Sequence, residues 1–281
     1  MAYQESIDWL STSKPLVATT LLIALWVAES VAPMYLDRRG RVRHGFRNLA
    51  LGLLNTLVVA MPFASLMLFV TGWAERHAFG VGHWLDGPAW LQWLIVLVLF
   101  DVWMYLWHRL NHRVPLLWRF HAVHHSDRDM DATSAFRFHT GEIAMSFMAR
   151  LAVLPLLGMT MTQLLIYETV LLPVILFHHS NIRLPAWADR LLRWLIVTPR
   201  MHWVHHSREQ PETDSNYASI LSVWDRCFGT FRLRGRPETI QLGLHDEDGG
   251  LRWRTLREMI AAPLNDTSPR KPKEGVANED A

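Results

Sequence analysis

Closely spaced histidines are the residues of this chain best suited to chemistry. Ten of its fifteen histidines fall in four short motifs, HRLNH, HAVHH, HH and HWVHH, between positions 108 and 206. On a helix, residues three or four positions apart share a face, so each motif can direct its imidazoles toward one point. Two HxxHH motifs would arise by chance in on the order of one in a thousand chains of this length and histidine content. The pattern therefore indicates a metal site.

The number of imidazoles indicates two metal ions rather than one. Zinc takes four ligands, and the HExxH motif of zinc proteases is absent from the sequence. Two ions with four or five imidazoles each would use the whole set, and imidazole suits iron, copper, nickel and zinc alike. The predicted ligands are His108, His112, His121, His124, His125, His179, His202, His205 and His206.

Long apolar segments are expected to place these histidines at one side of a membrane. Residues 15–36, 49–73 and 89–107 are each long and apolar enough to span a bilayer. The arginines between positions 38 and 47 put the first connecting loop in the cytoplasm by the positive-inside rule. The third span then returns the chain to the cytoplasm where the first histidine motif begins. We predict a multi-pass protein of the inner (cytoplasmic) membrane with its metal site on the cytoplasmic side.

A fourth apolar stretch, residues 143–177, is broken near residues 155–158 and fits either two helices or a re-entrant hairpin. Both return the chain to the side it left, so the HH motif emerges beside the others. Residues 186–197 form an amphipathic helix that lies on the membrane surface or packs against the cap. The predicted fold class is an all-α integral membrane protein. Four to five transmembrane or re-entrant helices carry a cytosolic helical cap that holds a histidine-rich dimetal site.

The chain is expected to have three parts. Residues 1–88 form an N-terminal transmembrane hairpin with its loops. Residues 89–262 form the histidine-box catalytic domain, with membrane helices and a cytosolic cap. Residues 263–281 have the composition of a disordered tail.

Composition excludes several functions. The formal net charge of +2 is too small to argue for a nucleic-acid partner. The single cysteine, Cys227, excludes an intramolecular disulfide and any cysteine-ligated zinc or iron–sulfur site. No glycine-rich dinucleotide motif is visible either. Electrons for a redox reaction would therefore come from a separate protein.

The expected location narrows the chemistry. Metals at the cytoplasmic ends of transmembrane helices can be reached by an acyl chain or another lipid from within the bilayer. A redox metal pair at that place suits oxygen activation and attack on an unactivated C–H bond, whereas a hydrolase would need fewer ligands. A membrane lipid is therefore the predicted substrate.

The motifs HRLNH, HAVHH, FHHSN and HWVHH, in this order and spacing, resemble the fatty acid hydroxylase/sterol desaturase superfamily of membrane di-iron enzymes. The segments DVWMYLWHR and NYASILSVWDRCFGTF resemble the same family, so the similarity covers residues 90–231. It implies two iron ions, O2 as co-substrate and a ferredoxin- or cytochrome-type electron donor with its reductase. Zinc can replace iron in overexpressed, purified protein. Within FHHSN, the resemblance favours His179 as the ligand and Asn181 as a weak or water-bridged one.

Further residues near the motifs are candidates for metal ligands or for hydrogen-bonding partners of the ligands. His139 is expected either to contact the metals or to hydrogen-bond nearby, and His178 to be a neighbour of the site. Carboxylates can orient ligating imidazoles through the second ring nitrogen, or else pair with nearby arginines. The carboxylate candidates are Asp101, Asp131, Glu142, Asp214 and Asp225. The isolated histidines are expected to be ordinary surface residues: His44, His77, His83 and His245.

The resulting prediction is a monooxygenase that hydroxylates a C–H bond of a fatty acyl, sterol or related lipid. A lipid desaturase or a carotenoid hydroxylase is compatible with the same motifs, because these specify the oxidant and not the substrate. A b-type cytochrome would place its histidines inside facing spans. A metal transporter would line its spans with ionisable residues, of which only Glu29, Asp101, Arg150 and Glu168 are present.

Overall fold

The computed structural model describes residues 2–36, 40–244 and 253–265, and these residues contain helices and no β-strand. The predicted all-α class is confirmed. The helices are α1 (Ala2–Val31), α2 (Arg41–Asn55), α3 (Met61–Arg76), α4 (Val81–Trp84), α5 (Ala89–Arg113), α6 (Pro115–His125), α7 (Thr140–Leu157), α8 (Met161–His179), α9 (Ala186–Leu192), α10 (Pro199–His205), α11 (Gln210–Thr213), α12 (Val223–Cys227) and α13 (Leu256–Asn265).

Within the described residues, four segments are long and apolar enough to cross a membrane: Arg41–Trp84, Ala89–Arg113, Thr140–Leu157 and Met161–His179. The apolar part of α1, Pro15–Val31, is shorter. The predicted first span, residues 15–36, is therefore too long at its end. The helix stops at Val31 ahead of Pro33, which lacks the N–H group that a further turn would need.

The arginine-rich segment is helical from Arg41 onward, rather than a loop up to Arg47 as predicted. Gly40 precedes α2 with a φ of 82°, a left-handed conformation that glycine adopts without steric cost. α2 then continues through a π-helical turn, Thr56–Ala60, into α3. Arg43 and Arg47 consequently lie on the first turns of an apolar helix, at the side where it begins.

The fourth apolar stretch forms two helices, α7 and α8, joined by a tight turn. Gly158, with a φ of 65°, ends α7, and the side chain of Thr160 caps α8 together with Gln163. Glu142 at the start of α7 and His179 at the end of α8 both contact histidines of α6. The two helices therefore return the chain to the side it left, as the sequence predicts.

A buried carboxylate joins the helix ends on the histidine side. Glu29, near the end of α1, pairs with Arg41 at 2.5 Å. It also accepts hydrogen bonds from the backbone N–H groups of Ala132 and Asn181, both at 2.8 Å. Glu29 thus ties α1, α2, the 3-10 turn Ala132–Phe136 and the end of α8 together, which is a structural role.

The opposite side of the helices is closed by glycine contacts. A Cβ atom on Gly80 would lie 2.2 Å from the backbone N of Gly158, so only glycine permits this approach. Exposed Trp84 and Trp90 lie in the same region, as is common where a chain meets the membrane–water interface. The two sides of the helical body therefore differ, with polar contacts on one and small and aromatic residues on the other.

The cap differs from the prediction at two places, after residue 192 and after residue 262. The amphipathic helix predicted at residues 186–197 is shorter in the structure, because α9 ends at Leu192. Trp187, Leu191, Trp194 and Leu195 are 65–70% exposed. The guanidinium of Arg226 lies 4.8 Å from the ring of Trp194, but most of the surface of these four side chains is uncovered. This exposure favours the membrane-surface alternative. α13 extends to Asn265, three residues into the segment predicted to be a tail. Residues 266–281 and His245 lie outside the described residues.

Candidate metal centre

The structure brings all nine predicted ligand histidines together in two groups, in each of which the ligand atoms lie within 4.8 Å of one another. All are buried except His108, which is half-buried. The five-histidine group consists of His108, His112, His121, His125 and His205. The four-histidine group consists of His124, His179, His202 and His206.

Each HxxHH motif divides its histidines between the two groups. On α6, His121 and His125 are four positions apart and enter the five-histidine group, whereas His124 enters the four-histidine group. The motif of α10 makes the opposite division, because its first and last histidines enter the four-histidine group and the middle one does not. The two motifs thus supply six of the nine imidazoles and contribute to both groups.

Backbone carbonyls orient two imidazoles of the five-histidine group. The Nδ1 atom of His108 donates to the carbonyl of Tyr217 at 2.8 Å, and Nδ1 of His205 donates to the carbonyl of Ser215 at 2.7 Å. Since a carbonyl only accepts, Nδ1 carries the proton in both neutral rings and Nε2 keeps its lone pair. Both Nε2 atoms are buried and have no hydrogen-bond partner among the described residues. This arrangement matches that of a metal ligand.

A carboxylate orients a third imidazole of this group. Oε1 of Glu142 lies 2.7 Å from Nδ1 of His121, and both side chains are buried. The Nε2 atom of His121 is also buried without a hydrogen-bond partner among the described residues. Asp214 lies farther away, with its carboxylate 3.6 Å from Nδ1 of His112, which is beyond hydrogen-bonding distance.

The four-histidine group is held by close contacts between its own rings. Nε2 of His179 lies 3.2 Å from Nε2 of His124 and 3.0 Å from that of His202, which in turn lies 3.1 Å from that of His206. Nitrogens this close to one another could share one ion, to which each would bind at about 2.1 Å. Among the described residues, His179 is the one member with a hydrogen-bond anchor outside the group, donating from Nδ1 to the carbonyl of Ile175 at 2.8 Å.

Burial keeps the ligand set in the form that binds metal. It lowers the pKa of five imidazoles outside the membrane-length helices well below the usual 6.5, and neighbouring imidazoles lower it further. Neutral imidazole is the ligating form. The residues present therefore fit two metal ions. The imidazoles with lowered pKa values are His124, His125, His202, His205 and His206.

The two additional histidine candidates belong to neither group. His178 is buried and its ring centroid lies 4.0 Å from that of His202, but it contributes no atom to either group. His139 directly precedes α7 and caps it, because its Nδ1 accepts a hydrogen bond from the N–H of Gly141 at 2.8 Å. Its Nε2 donates to the carbonyl of Ile260 at 3.0 Å. Both nitrogens of His139 are therefore engaged with backbone.

Two further candidates have structural partners. The side-chain amide of Asn181 pairs with the backbone of Tyr35, accepting from its N–H at 2.9 Å and donating to its carbonyl at 3.0 Å. Asp131 caps the 3-10 turn, accepting from the N–H of Thr133 at 2.8 Å. Neither residue belongs to a histidine group.

Asp101 and Asp225 act on the imidazoles indirectly, through other residues. Asp101 accepts from the hydroxyl of Tyr167 at 2.6 Å and from Nε1 of Trp224 at 2.7 Å. Asp225 accepts from the N–H of Tyr217 at 2.7 Å, and burial raises its pKa to about 6. Within the described part of the chain, neither contacts an imidazole or forms a salt bridge with an arginine. Both instead secure the segment whose Tyr217 carbonyl orients an imidazole.

His44 is not the ordinary surface residue that the sequence suggests. Its Nε2 lies 2.9 Å from Asp127 and its Nδ1 lies 3.4 Å from Asp131, with 13% of the side chain exposed. The partner Asp127 is 83 positions away. No local pattern signals such a contact. The same holds for the carbonyls of Ser215 and Tyr217, because backbone acceptors leave no trace in residue type.

Together, the apolar helices and the buried imidazole groups define a class, that of membrane proteins with a histidine-rich site at one side of the helices. Residues 93–230 match the family model described as Fatty acid hydroxylase. The motif-based assignment is thereby confirmed: the chain belongs to the fatty acid hydroxylase/sterol desaturase superfamily. No solved structure is significantly similar.

Three curated relatives illustrate the similarity. The chain is 32% identical over 157 residues to ornithine lipid hydroxylase OlsE of Rhizobium tropici, covering 56% of this chain and 46% of that protein. It is 30% identical over 199 residues to alkylglycerol monooxygenase of Xenopus tropicalis, covering 68% and 41%. It is 28% identical over 173 residues to cholesterol 25-hydroxylase of Homo sapiens, covering 55% and 61%. The chain thus spans less than two thirds of each relative.

Proposed function

We propose that this protein is a membrane-bound, O2-dependent, non-haem di-iron monooxygenase that hydroxylates a C–H bond of a lipid. The observation that carries the proposal is the division of nine histidines, eight buried and His108 half-buried, into groups of five and four with converging ligand atoms. The matched family and the relatives, all named as hydroxylases or monooxygenases, support the reaction class.

The five-histidine and four-histidine groups would each hold one iron ion. Iron bound there would supply the activation of O2 that oxidation of an unactivated C–H bond requires. The overall reaction takes up O2, two electrons and two protons, inserts one oxygen atom into a C–H bond and releases the other as water. The chain contains no cysteine set for an iron–sulfur cluster, so a separate ferredoxin- or cytochrome-type donor with its reductase is proposed to deliver the electrons.

The protein's own residues orient the site and keep it dry. Glu142 and the carbonyls of Ser215 and Tyr217 fix the tautomers and ring directions in the five-histidine group. The ring of Phe138 stacks on His124 with centroids 4.1 Å apart and covers one face of that imidazole. Such packing excludes bulk water from the reacting centre, which suppresses side reactions.

A lipid is the proposed substrate because the histidine groups lie where α5 and α8, two membrane-length helices, end. The names of the relatives specify an ornithine lipid, an alkylglycerol and cholesterol. These differ in head group and ring system, so the shared chemistry is an apolar C–H bond in a bilayer-resident molecule. Hydroxylation is favoured over desaturation and over carotenoid oxidation by the relatives' names.

Two other classes fit the structure poorly. In a b-type cytochrome, two imidazoles bind opposite faces of a porphyrin, whereas here four or five imidazole nitrogens lie within 4.8 Å of one another. A transporter would present ionisable groups along its spans. Arg150 pairs with Glu168 at 3.3 Å, and Asp101 is enclosed by Tyr167 and Trp224. These groups hold helices together and do not line a path.

The proposed topology places the histidine groups on the cytoplasmic side of a bacterial-type inner membrane. The arginines at the start of α2 support this orientation. Reporter fusions at residue 86 and after residue 281 are expected to give opposite signals, with the second cytoplasmic. Equal signals, or a cytoplasmic signal at residue 86, would contradict the orientation and leave the chemistry to be tested separately.

The reaction is tested with protein reconstituted in lipid nanodiscs, loaded with ferrous iron and supplied with isotope-labelled O2 and a ferredoxin–reductase pair. Lipid mass spectrometry is expected to show a hydroxylated lipid that carries one labelled oxygen. The matched control is the His205→Ala variant, which lacks one ligand of the five-histidine group. A new double bond without oxygen would identify a desaturase, and label from water would refute O2-dependent hydroxylation.

A further inference from the structure

A cavity of about 340 Å³ lies outside the metal centre, between the start of α2, the residues that follow α6 and those that precede α13. Five arginines and two aspartates line it, which leaves a surplus of three positive charges before His44 is counted. The volume is in the range of small-ligand sites. The lining arginines are Arg43, Arg47, Arg128, Arg137 and Arg254.

Part of this charge belongs to the framework of the cavity. Arg137 is 5% exposed and donates to the carbonyls of Val123 at 3.1 Å and Trp253 at 2.9 Å. Asp127 is buried and bonded to His44, and the nearby positive charges hold the pKa of its carboxyl well below the usual range. These groups stabilise the wall of the cavity. A ligand would therefore be bound by the other lining side chains.

Three arginines are placed to meet a ligand. Arg43 and Arg254 are exposed and Arg47 is half-buried. Within the described part of the chain, no carboxylate forms a salt bridge with any of the three. Arg47 is repelled by the like charges of Arg43 and Arg254 and attracted by a single carboxylate, that of Glu258. Like charges held together around a concave space favour an anion.

The position of the cavity indicates the source of that anion. On α2, the exposed apolar residues Val42, Phe46 and Leu53 share a face beside Arg43 and Arg47. This apolar face continues into a membrane-length segment. The arginines therefore lie at the level where a lipid-facing surface begins, which is the level of lipid head groups.

We propose that the arginine cavity binds the phosphate group of an anionic phospholipid head group. Planar guanidinium groups present paired donors that match phosphate oxygens, and such charge-assisted hydrogen bonds are the strong ones. The surplus positive charge favours a net anionic head group such as phosphatidylglycerol over a zwitterionic one. The site is separate from the histidine groups, so the proposal does not depend on the proposed function.

Native mass spectrometry of the full chain, released from detergent micelles, tests the site. The probes are dioleoylphosphatidylglycerol, dioleoylphosphatidylcholine and sodium phosphate, each titrated alone. The double variant Arg43→Gln/Arg47→Gln is expected to bind phosphatidylglycerol about tenfold or more weakly than the wild type. The matched control is Arg183→Gln/Arg190→Gln, which removes two exposed arginines outside the cavity and should change the affinity by less than about twofold.

Each outcome decides between alternatives. Equal losses in both double variants would show that general surface charge attracts the lipid, and would overturn the cavity. Equal binding of both phospholipids by the wild type would overturn the anionic preference. Sodium phosphate binding as tightly as phosphatidylglycerol, with the same loss in the double variant, would overturn the lipid as the source. The single variant Arg254→Gln, measured with a monodispersity check, keeps the test valid if the double variant does not fold.

Discussion

The two histidine groups contain the same side chain but are held in different ways. In the five-histidine group, three rings donate from Nδ1 to acceptors on other segments, namely Glu142 and the carbonyls of Ser215 and Tyr217. In the four-histidine group, the rings mainly contact one another through Nε2, at 3.0–3.2 Å. The Nδ1 atoms of three of its four rings are buried without a hydrogen-bond partner among the described residues.

This difference has a consequence for metal binding. Hydrogen-bonded imidazoles keep one tautomer and one direction before a metal arrives, so little order is lost on binding. The rings of the four-histidine group lack such anchors and need an ion to bring their lone pairs together favourably. We therefore expect the five-histidine group to bind metal more tightly, and the four-histidine group to depend more on the metal for its structure.

The largest effect is expected from His179→Ala, which removes a ligand of the four-histidine group. Loss of a hydrogen-bonding partner of a metal ligand lowers activity by about 10–100-fold. Loss of the ligand itself should lower lipid oxidation by more than this. Iron per chain, measured by elemental analysis, should fall from two toward one. The matched control is His178→Ala on the neighbouring position, which should retain activity and both ions because His178 belongs to neither group. The reverse result would exchange the roles of the two residues.

Chelator titration is expected to remove the two ions in two steps. The ion of the four-histidine group should leave first, because the protein orients fewer of its ligands. Elemental analysis after desalting should show about two ions, then a plateau near one, then none. Thermal unfolding provides an independent measurement, because the loss of thermal stability should accompany the first step. Release of both ions in one step would remove the distinction between the groups.

Glu142→Gln sharpens the comparison by weakening the anchor of a single group. The metal affinity of the five-histidine group should fall by about 10–100-fold. In the chelator titration, the second step should therefore move to lower chelator concentration while the first step stays in place. The exposed carboxylate of Asp129 provides the control, since Asp129→Asn should shift neither step. Movement of the first step would show that the two groups share one set of anchors.

The smallest effect is expected from Asp101→Asn, which acts on the five-histidine group through the segment after α10. The variant loses the charge that accepts hydrogen bonds from Tyr167 and Trp224. Thermal unfolding in detergent should show a loss of about 1–3 kcal/mol, with two metal ions retained. Glu75→Gln, at an exposed position, should unfold like the wild type. Loss of a metal ion from Asp101→Asn would make Asp101 part of the metal site.

Residue types and local spacing were sufficient to predict the helical class, the apolar segments and the nine histidines that converge. These features follow from helix periodicity, from the cost of placing polar backbone in lipid and from the ligand preference of metals. Each depends on residues within a few positions of one another. The helix boundaries were predicted less well, because at Pro33 and Gly40 a single residue determines where a helix ends or begins.

Long-range packing determined how those histidines are divided and oriented. Adjacent histidines of one motif enter different groups, and His108 takes its orientation from a carbonyl 109 positions away. The contact between His44 and Asp127, and the enclosure of Asp101 by Tyr167 and Trp224, likewise join distant segments. A backbone carbonyl accepts equally well from any residue type, so its role depends on where the folded chain places it and leaves no pattern in the sequence.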